Sequence, residues 1–201
     1  FGIGGGSSNW NNTAIASDVA AHEFTHGVIT STSALEYSFE SGALNESYSD
    51  FFGVLVDGEN DWDIGEDLYA GVGLLRSMSK PSRAGDPAHM DDYKNWPYSR
   101  DSGGVHTNSG IPNRALYLLA EGLTAENLGQ SIGRERAAQI IYQTMITLPS
   151  QATFSEAAAA TLEQAGLQYG PSEQQAVTKA FSEVGISTSI APISVPSTPG
   201  F

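Results

Sequence analysis

The chain has 201 residues, which is enough for one domain with a hydrophobic core. Its 9 Lys and Arg residues stand against 23 Asp and Glu residues, and the resulting formal charge of -14 argues against nucleic acid or an anionic membrane as a partner. Cysteine is absent, which excludes disulfides and thiol chemistry, and no apolar run reaches the roughly 18 residues that a membrane-spanning helix needs.

The chain begins with a segment rich in Gly, Ser and Asn. No Lys follows its glycines at the spacing of a phosphate-binding loop, so we exclude that function. We interpret residues 1–16 as a loop or strand remnant that leads into the first helix.

The pattern that follows predicts a helix. Ser17 is a suitable N-cap, and Asp18 suits the first turn, where a negative charge is favourable. Val19, Ala20 and Phe24 supply an apolar face.

This helix carries the pattern His-Glu-x-x-His at His22, Glu23 and His26. Residues four apart lie on one face of a helix, so the two imidazoles can hold a metal ion between them. Glu23 lies beside the first ligand and can reach a water at an open coordination position. Although the pattern also occurs by chance, two histidine ligands with a carboxylate base are typical of zinc peptidases.

A two-histidine zinc site needs a third ligand and an open position for water. Glu46 and Asp50 are four residues apart, share a helix face and precede an apolar run at 51–56. Two acids on the inner side of a buried helix are costly without a metal or a charged partner. Glu46 as a ligand, with Asp50 accepting from a ligand imidazole N–H, removes that cost.

Residues 57–67 concentrate acidic side chains with no basic residue among them. One interpretation is a solvated acidic loop. The other is a calcium site, because calcium takes roughly six to eight oxygen ligands, although the spacing is not that of an EF-hand.

A loop-rich stretch at 80–100 contains His89, which we interpret as a structural or surface histidine. Gly103 and Gly104 then permit a tight turn that brings His106 toward a ligand. Asp101 can accept a hydrogen bond from the His106 ring and favour its protonated form. His106 is therefore suited to stabilising a developing oxyanion. The alternative is a simple capping loop before the next helix.

The C-terminal part predicts amphipathic helices that pack as a bundle. A capping box is expected at Thr153 and Glu156, and Pro171 suits a first helical position. The predicted helices span 111–122, 134–148, 153–166 and 171–184. The Ser-, Thr- and Pro-rich residues 187–201 indicate a tail or linker.

Three motifs together carry a family resemblance. They are His-Glu-Phe-Thr-His-Gly at 22–27, Gly-Ala-Leu-Asn-Glu-Ser-Tyr-Ser-Asp at 42–50 and Gly-Gly-Val-His-Thr-Asn-Ser-Gly at 103–110. With this order and spacing, the chain resembles the thermolysin family of zinc endopeptidases from about Asp18 to about Ile186. The resemblance implies a mainly α fold at 17–186, a helical bundle with long loops that corresponds to the C-terminal lobe of the peptidase. It also implies that the β-rich N-terminal lobe is absent from this chain.

The resemblance further implies roles for the residues around the metal. The zinc ligands would be His22, His26 and Glu46, with Glu23 as the general base. The oxyanion would be stabilised by Tyr37 and His106, and the carboxylates that orient histidines would be Asp50 and Asp101.

Calcium binding and substrate binding are implied in the same way. Calcium would clamp the acidic loop to the base of the first helix, with Asp18, Asp57, Asp61, Asp63 and Glu66 as ligands. Arg76 would bind a substrate carbonyl and pair with an acid. The pocket for the residue after the scissile bond would be lined by Val19, Ile64, Leu68 and Leu75.

The implied function is a secreted, zinc- and calcium-containing endopeptidase that hydrolyses polypeptides and prefers an apolar residue after the scissile bond. A second hypothesis is a zinc-binding but catalytically weak fragment that needs its N-terminal lobe as a partner. A third, a calcium-dependent interaction module, explains the acidic loop but leaves the three zinc-site motifs unexplained.

Overall fold

The fold is mainly α-helical, which confirms the predicted class. A computed structural model describes residues 16–58, 61–68 and 73–189, so most of the predicted lead-in and tail lies outside the described residues. The helices are α1, Ser17–Ser31; α2, Phe39–Asp57; α3, Asp101–Asn108; α4, Gly110–Tyr117; α5, Leu123–Ala125; α6, Arg134–Thr147; α7, Phe154–Gln168; and α8, Pro171–Ser182. Short 3-10 turns at Glu66–Leu68, Pro81–Arg83 and Met90–Asp92 punctuate the long connection between α2 and α3.

Helices α1 and α2 pack closely, and a glycine at their contact permits it. A Cβ atom on Gly53 would lie 2.7 Å from the carbonyl oxygen of Asp18, too close for any other residue without a shift of the helices. α2 is buried along most of its length, and α1 buries the face that contains His22, Thr25 and Ile29. This packing brings the two histidines of α1 against the two acids of α2.

Two details of α1 differ from the sequence prediction. Ser17 is the first helical residue rather than the N-cap, which is Ala16 and makes no side-chain cap. The Ser17 hydroxyl instead donates to the carboxylate of Asp57. Phe24 does not belong to the buried face: its side chain is 75% exposed, because it lies more than half a helical turn beyond His22.

Two short strands fix the connection after α2. β1, Asp63–Ile64, pairs antiparallel with β2, Arg76–Ser77. The register places Asp63 opposite Ser77 and Ile64 opposite Arg76. The ribbon therefore carries an apolar residue and a cation to the same place beside the helix pair.

The four predicted C-terminal helices are present, with bounds that differ by a few residues. The first of them, α4, continues into a π-helical turn at Leu118–Gly122 that the sequence pattern did not indicate. The capping box at the start of α7 is confirmed, since Thr153 and Glu156 exchange both hydrogen bonds. Pro171 occupies the first turn of α8, as predicted.

One large cluster of buried side chains joins α1 and α2 to these C-terminal helices. Its largest fully buried members include Tyr48, Phe51 and Phe154. Within the described ranges, every helix is too short or too polar to cross a membrane.

Candidate metal centre and active site

The imidazoles of His22 and His26 and the carboxylate of Glu46 converge on one point. Their ligand atoms all lie within 4.8 Å of one another. The two Nε2 atoms are 3.0 Å apart, and Glu46 oxygens lie 3.5 Å from His22 Nε2 and 3.4 Å from His26 Nε2. Among the residues that the structure describes, this is the only such set. The spacing along two helices, predicted from sequence, thus produces a compact donor set.

Each histidine of this set is held by a second contact from α2. His22 Nδ1 lies 2.9 Å from Asp50 Oδ1, the pairing that the sequence predicts. His26 Nδ1 lies 2.7 Å from Asn45 Oδ1 and 3.1 Å from the Ser49 hydroxyl. Because these contacts lie at Nδ1, each ring directs Nε2 toward the other histidine and Glu46.

The sequence does not predict the contact from Asn45, although this residue directly precedes Glu46 in the second motif. An amide next to a ligand gives no charge signal, so its role emerges only from helix packing.

The carboxylate of Glu46 stays ionised in spite of its burial. Burial acts to raise the pKa of Glu46, but the hydrogen bond with His26 and the charges of Arg76 and His22 lower it to about 2. One of its oxygens, Oε2, is buried and has no hydrogen-bond partner. An ionised, buried carboxylate whose Oε2 atom accepts no hydrogen bond is a suitable ligand for a cation.

Arg76 lies next to this set and pairs with Asp50, the acid that contacts His22. Its Nε and Nη2 atoms each lie 2.7 Å from an oxygen of Asp50, in bidentate geometry. Nη2 is also 3.5 Å from Glu46 Oε2. The pairing of Arg76 with an acid is as expected, and the side chain also reaches the wall of the cleft.

Tyr37 and His106 lie together beside Glu46. The Tyr37 hydroxyl donates to Glu46 and lies 3.0 Å from His106 Nε2. His106 Nδ1 in turn contacts the carboxylate of Asp101, whose other oxygen accepts from the His106 backbone N–H. Burial, aided by the charge of Glu46, raises the pKa of Tyr37, so its hydroxyl remains a donor.

An unusual backbone turn orients His106 toward the cleft. Residues Asp101, Ser102, Gly103 and Gly104 all have positive φ angles, so α3 opens with a left-handed turn. A Cβ atom on Gly103 would lie 2.4 Å from the ring of Phe39, so only glycine fits there. The predicted tight turn is present, and Phe39 is the neighbour that sequence could not supply.

The donor set and the neighbouring side chains of Tyr37, Arg76 and His106 border a cleft of about 420 Å³. Glu23 lines it from the exposed side of α1, together with the predicted pocket residues Val19, Ile64 and Leu75. Leu68 differs from the prediction: it is only 2% exposed and packs behind Val19 rather than lining the cleft. Three further lining residues were not predicted: Thr30, Leu35 and Asn45.

The predicted calcium ligands lie near the start of α1, and several of them already have protein partners. Asp18 is buried and accepts from the backbone N–H groups of Val19 and Gly65. Asp63 pairs with Arg83, a contact that the sequence analysis did not foresee. His89, by contrast, has a structural role as expected, since its Nδ1 accepts from the Asp91 backbone.

Glu66 is an acidic residue of this group whose burial and charge are poorly offset by contacts with the protein. Burial, and then the charges of Asp18, Asp61 and Asp57, raise the pKa of Glu66 to about 7. Its Oε2 atom is buried and makes no hydrogen bond. The acids are therefore close enough to repel one another, although their oxygens do not converge as the zinc-type donor set does.

Comparison with known proteins identifies a family and several relatives of this chain. A family model described as "Thermolysin metallopeptidase, alpha-helical domain" matches residues 33–186. The chain is 49% identical over 177 residues to the extracellular elastase of Staphylococcus epidermidis, in an alignment that covers 85% of this chain and 32% of that protein. It is 44% identical over 172 residues to bacillolysin of Bacillus amyloliquefaciens, with 84% and 31% covered.

A solved structure gives the same result. The precursor of protealysin, a metalloproteinase from Serratia proteamaculans, matches with a TM-score of 0.80 and 39% identity, over 91% of this chain and 61% of that one. Fold and site together define the α-helical domain of a metallopeptidase. The chain belongs to the thermolysin family. It spans about a third of the length of the curated relatives it matches.

Proposed function

We propose that this chain carries the zinc and the catalytic groups of a secreted endopeptidase. The observation that supports this most directly is the convergence of His22, His26 and Glu46 within 4.8 Å. The membership of the thermolysin family supports the reaction class. Secretion is supported by the relative that is named an extracellular elastase.

The donor set fits zinc better than other common cations. Two imidazoles and one carboxylate leave an open fourth position, as in catalytic zinc sites. The free, buried Oε2 of Glu46 is the kind of orphaned atom that a bound cation would satisfy. When bound, zinc would supply Lewis acidity that activates water and polarises a carbonyl.

The protein's own side chains then handle the protons and the developing charge. Glu23 would accept the proton of the attacking water and transfer it to the leaving amine. Tyr37 and His106 would donate hydrogen bonds to the oxyanion, and Asp101 would hold the His106 ring in place. The 3.0 Å contact between Tyr37 and His106 supports a shared target for the two donors.

Substrate preference follows from the lining of the cleft. Val19, Ile64 and Leu75 would receive the side chain that follows the scissile bond, so an apolar residue is expected there. Arg76 would bind a substrate carbonyl from the same wall. Leu68 would act through packing behind Val19, not by contact with the substrate.

Calcium is proposed as a second, stabilising cation near the start of α1. Its ligands would come from the predicted set of Asp18, Asp57, Asp61, Asp63 and Glu66. The unpaired oxygen and the raised pKa of Glu66 support this calcium site. A bound cation would contact that oxygen and offset the burial and charge repulsion that raise the pKa. The ion pair between Asp63 and Arg83 is a competing arrangement that calcium would have to displace.

The experiment that tests the function is hydrolysis of a quenched peptide with an apolar residue after the scissile bond. We expect turnover that a zinc chelator abolishes and that Glu23→Gln lowers by about 10²- to 10⁴-fold while zinc stays bound. Near-normal turnover by Glu23→Gln would exclude Glu23 as the base.

The same assay separates the enzyme from the alternative of a catalytically weak fragment. A folded, zinc-loaded chain that is inactive alone, but active once an N-terminal lobe from a relative is supplied, would support the fragment hypothesis. The reason is geometric: misplacement of a bound peptide by about 1 Å can cost roughly 100-fold in rate.

A further inference from the structure

The Asp50 carboxylate is fully buried and is surrounded by donors on every side. Its Oδ1 atom lies 2.9 Å from His22 Nδ1 and 2.7 Å from Arg76 Nη2. Its Oδ2 atom lies 2.7 Å from Arg76 Nε and 2.8 Å from Nδ2 of Asn113. A buried carboxylate that accepts three hydrogen bonds, two from Arg76 and one from Asn113, has one favoured orientation, and that orientation decides how its Oδ1 atom faces the His22 ring.

Asn113 is the donor with no role in the mechanism described above. It lies on α4, is 0% exposed and reaches across to α2, 63 residues earlier in the chain. Its other amide atom, Oδ1, is buried without a hydrogen-bond partner. A buried amide that leaves its own acceptor unsatisfied costs stability, so its position is not explained by optimal packing of α4.

The helix that carries Asn113 also follows directly on the turn that carries His106. α3 ends at Asn108 and α4 begins at Gly110. One continuous segment therefore places His106 at the cleft and the Asn113 amide against Asp50.

We propose that Asn113 is a positioning residue of the metal site. Its amide fixes Oδ2 of Asp50, so that Oδ1 remains aligned with Nδ1 of His22 and the His22 ring presents Nε2 to the metal. Without this donor, the carboxylate is held by the Arg76 fork alone, and the carboxylate and the fork can shift together relative to His22. The inference rests on the proposed zinc function and names a residue outside the expected ligand and catalytic sets.

The test is zinc affinity, measured for the whole chain by competition with a fluorescent chelator. Asn113→Leu keeps the branched shape of the side chain, although it is larger, and removes the donor; we expect it to weaken zinc binding by about 10-fold or more, as for other residues that orient metal ligands. Leu116→Ala is the matched control on the same helix: Leu116 is buried at 1% exposure, and its truncation should lower the melting temperature without changing zinc affinity. Should Asn113→Leu fail to fold, Asn113→Ala serves in its place.

A double-mutant cycle with Asp50→Asn shows whether the effect passes through Asp50. In the Asp50→Asn background, the Asn113 substitution should change zinc affinity by less than about 2-fold, because the carboxylate to be positioned is gone. Full additivity, or an Asn113 variant with unchanged affinity, would overturn the inference while leaving the zinc site intact. A native chain that binds no zinc would instead overturn the proposed function itself.

Discussion

Two acids near the site, the buried Asp50 and the half-buried Asp86, have contrasting surroundings, and their pKa values differ accordingly. Although Asp50 is fully buried, the charge of Arg76 and the hydrogen bond with His22 hold its pKa well below the usual range. Asp86 is not matched in this way: burial raises its pKa to about 6, against the opposing charge of Arg76 and with the help of Asp50 and Asp101. Asp86 was not singled out from sequence, because its position near Arg76 depends on the long loop.

This difference predicts how stability depends on pH. Folded Asp86 binds its proton more tightly than an unfolded Asp with a pKa near 3.8, so its contribution is complete below that pH and is lost as the pH rises through about 6. Asp86→Asn should therefore flatten the fall in melting temperature between about pH 4 and pH 7. The exposed Asp92→Asn serves as the control and should leave the profile unchanged. An unaltered profile in Asp86→Asn would contradict this account.

At the scale of elements, the site depends on how closely α1 approaches α2. Gly53→Ala places a methyl group 2.7 Å from the Asp18 carbonyl, so the helices must separate. We expect a loss of about 1–3 kcal/mol in the free energy of unfolding, as for other overpacked cores, together with weaker zinc binding. Chemical denaturation and a zinc titration measure the two effects.

Gly27→Ala on α1 is the matched control. A Cβ atom on Gly27 meets nothing within 4 Å, so the substitution should be neutral or stabilise the helix by up to about 1 kcal/mol. Equal losses in the two variants would contradict this account, because Gly27→Ala creates no close contact and raises helix propensity.

Periodicity within one helix was enough to predict which side chains come together in the candidate donor set. His22 and His26 share a face of α1, and Glu46 and Asp50 share a face of α2, by spacing alone. The side chains that contact those pairs could not be predicted, because Asn45 and Asn113 are uncharged and their partners are determined by tertiary packing. Residue type alone also failed for Phe24, whose apolar side chain is on the exposed side of α1.

For the molecule as a whole, the proposed calcium site near α1 predicts that stability depends on calcium. Calcium at about 100 times its dissociation constant should raise the free energy of unfolding by ~2.7 kcal/mol, which corresponds to roughly 5–10 °C in melting temperature for a domain of this size. The rise should be much smaller in Glu66→Gln, because that substitution removes the charge of a proposed ligand. A melting temperature that ignores calcium, with zinc retained, would contradict the calcium proposal.

Zinc binding by the purified chain tests the central claim most directly, because it does not depend on any other part of a longer enzyme. Metal analysis and chelator competition should find a single tightly bound zinc ion in the native chain and in Glu23→Gln. His22→Ala should lose that zinc, since it removes a ligand and leaves Asp50 without its histidine partner. Absence of bound zinc from the folded native chain, or undiminished affinity in His22→Ala, would contradict the account.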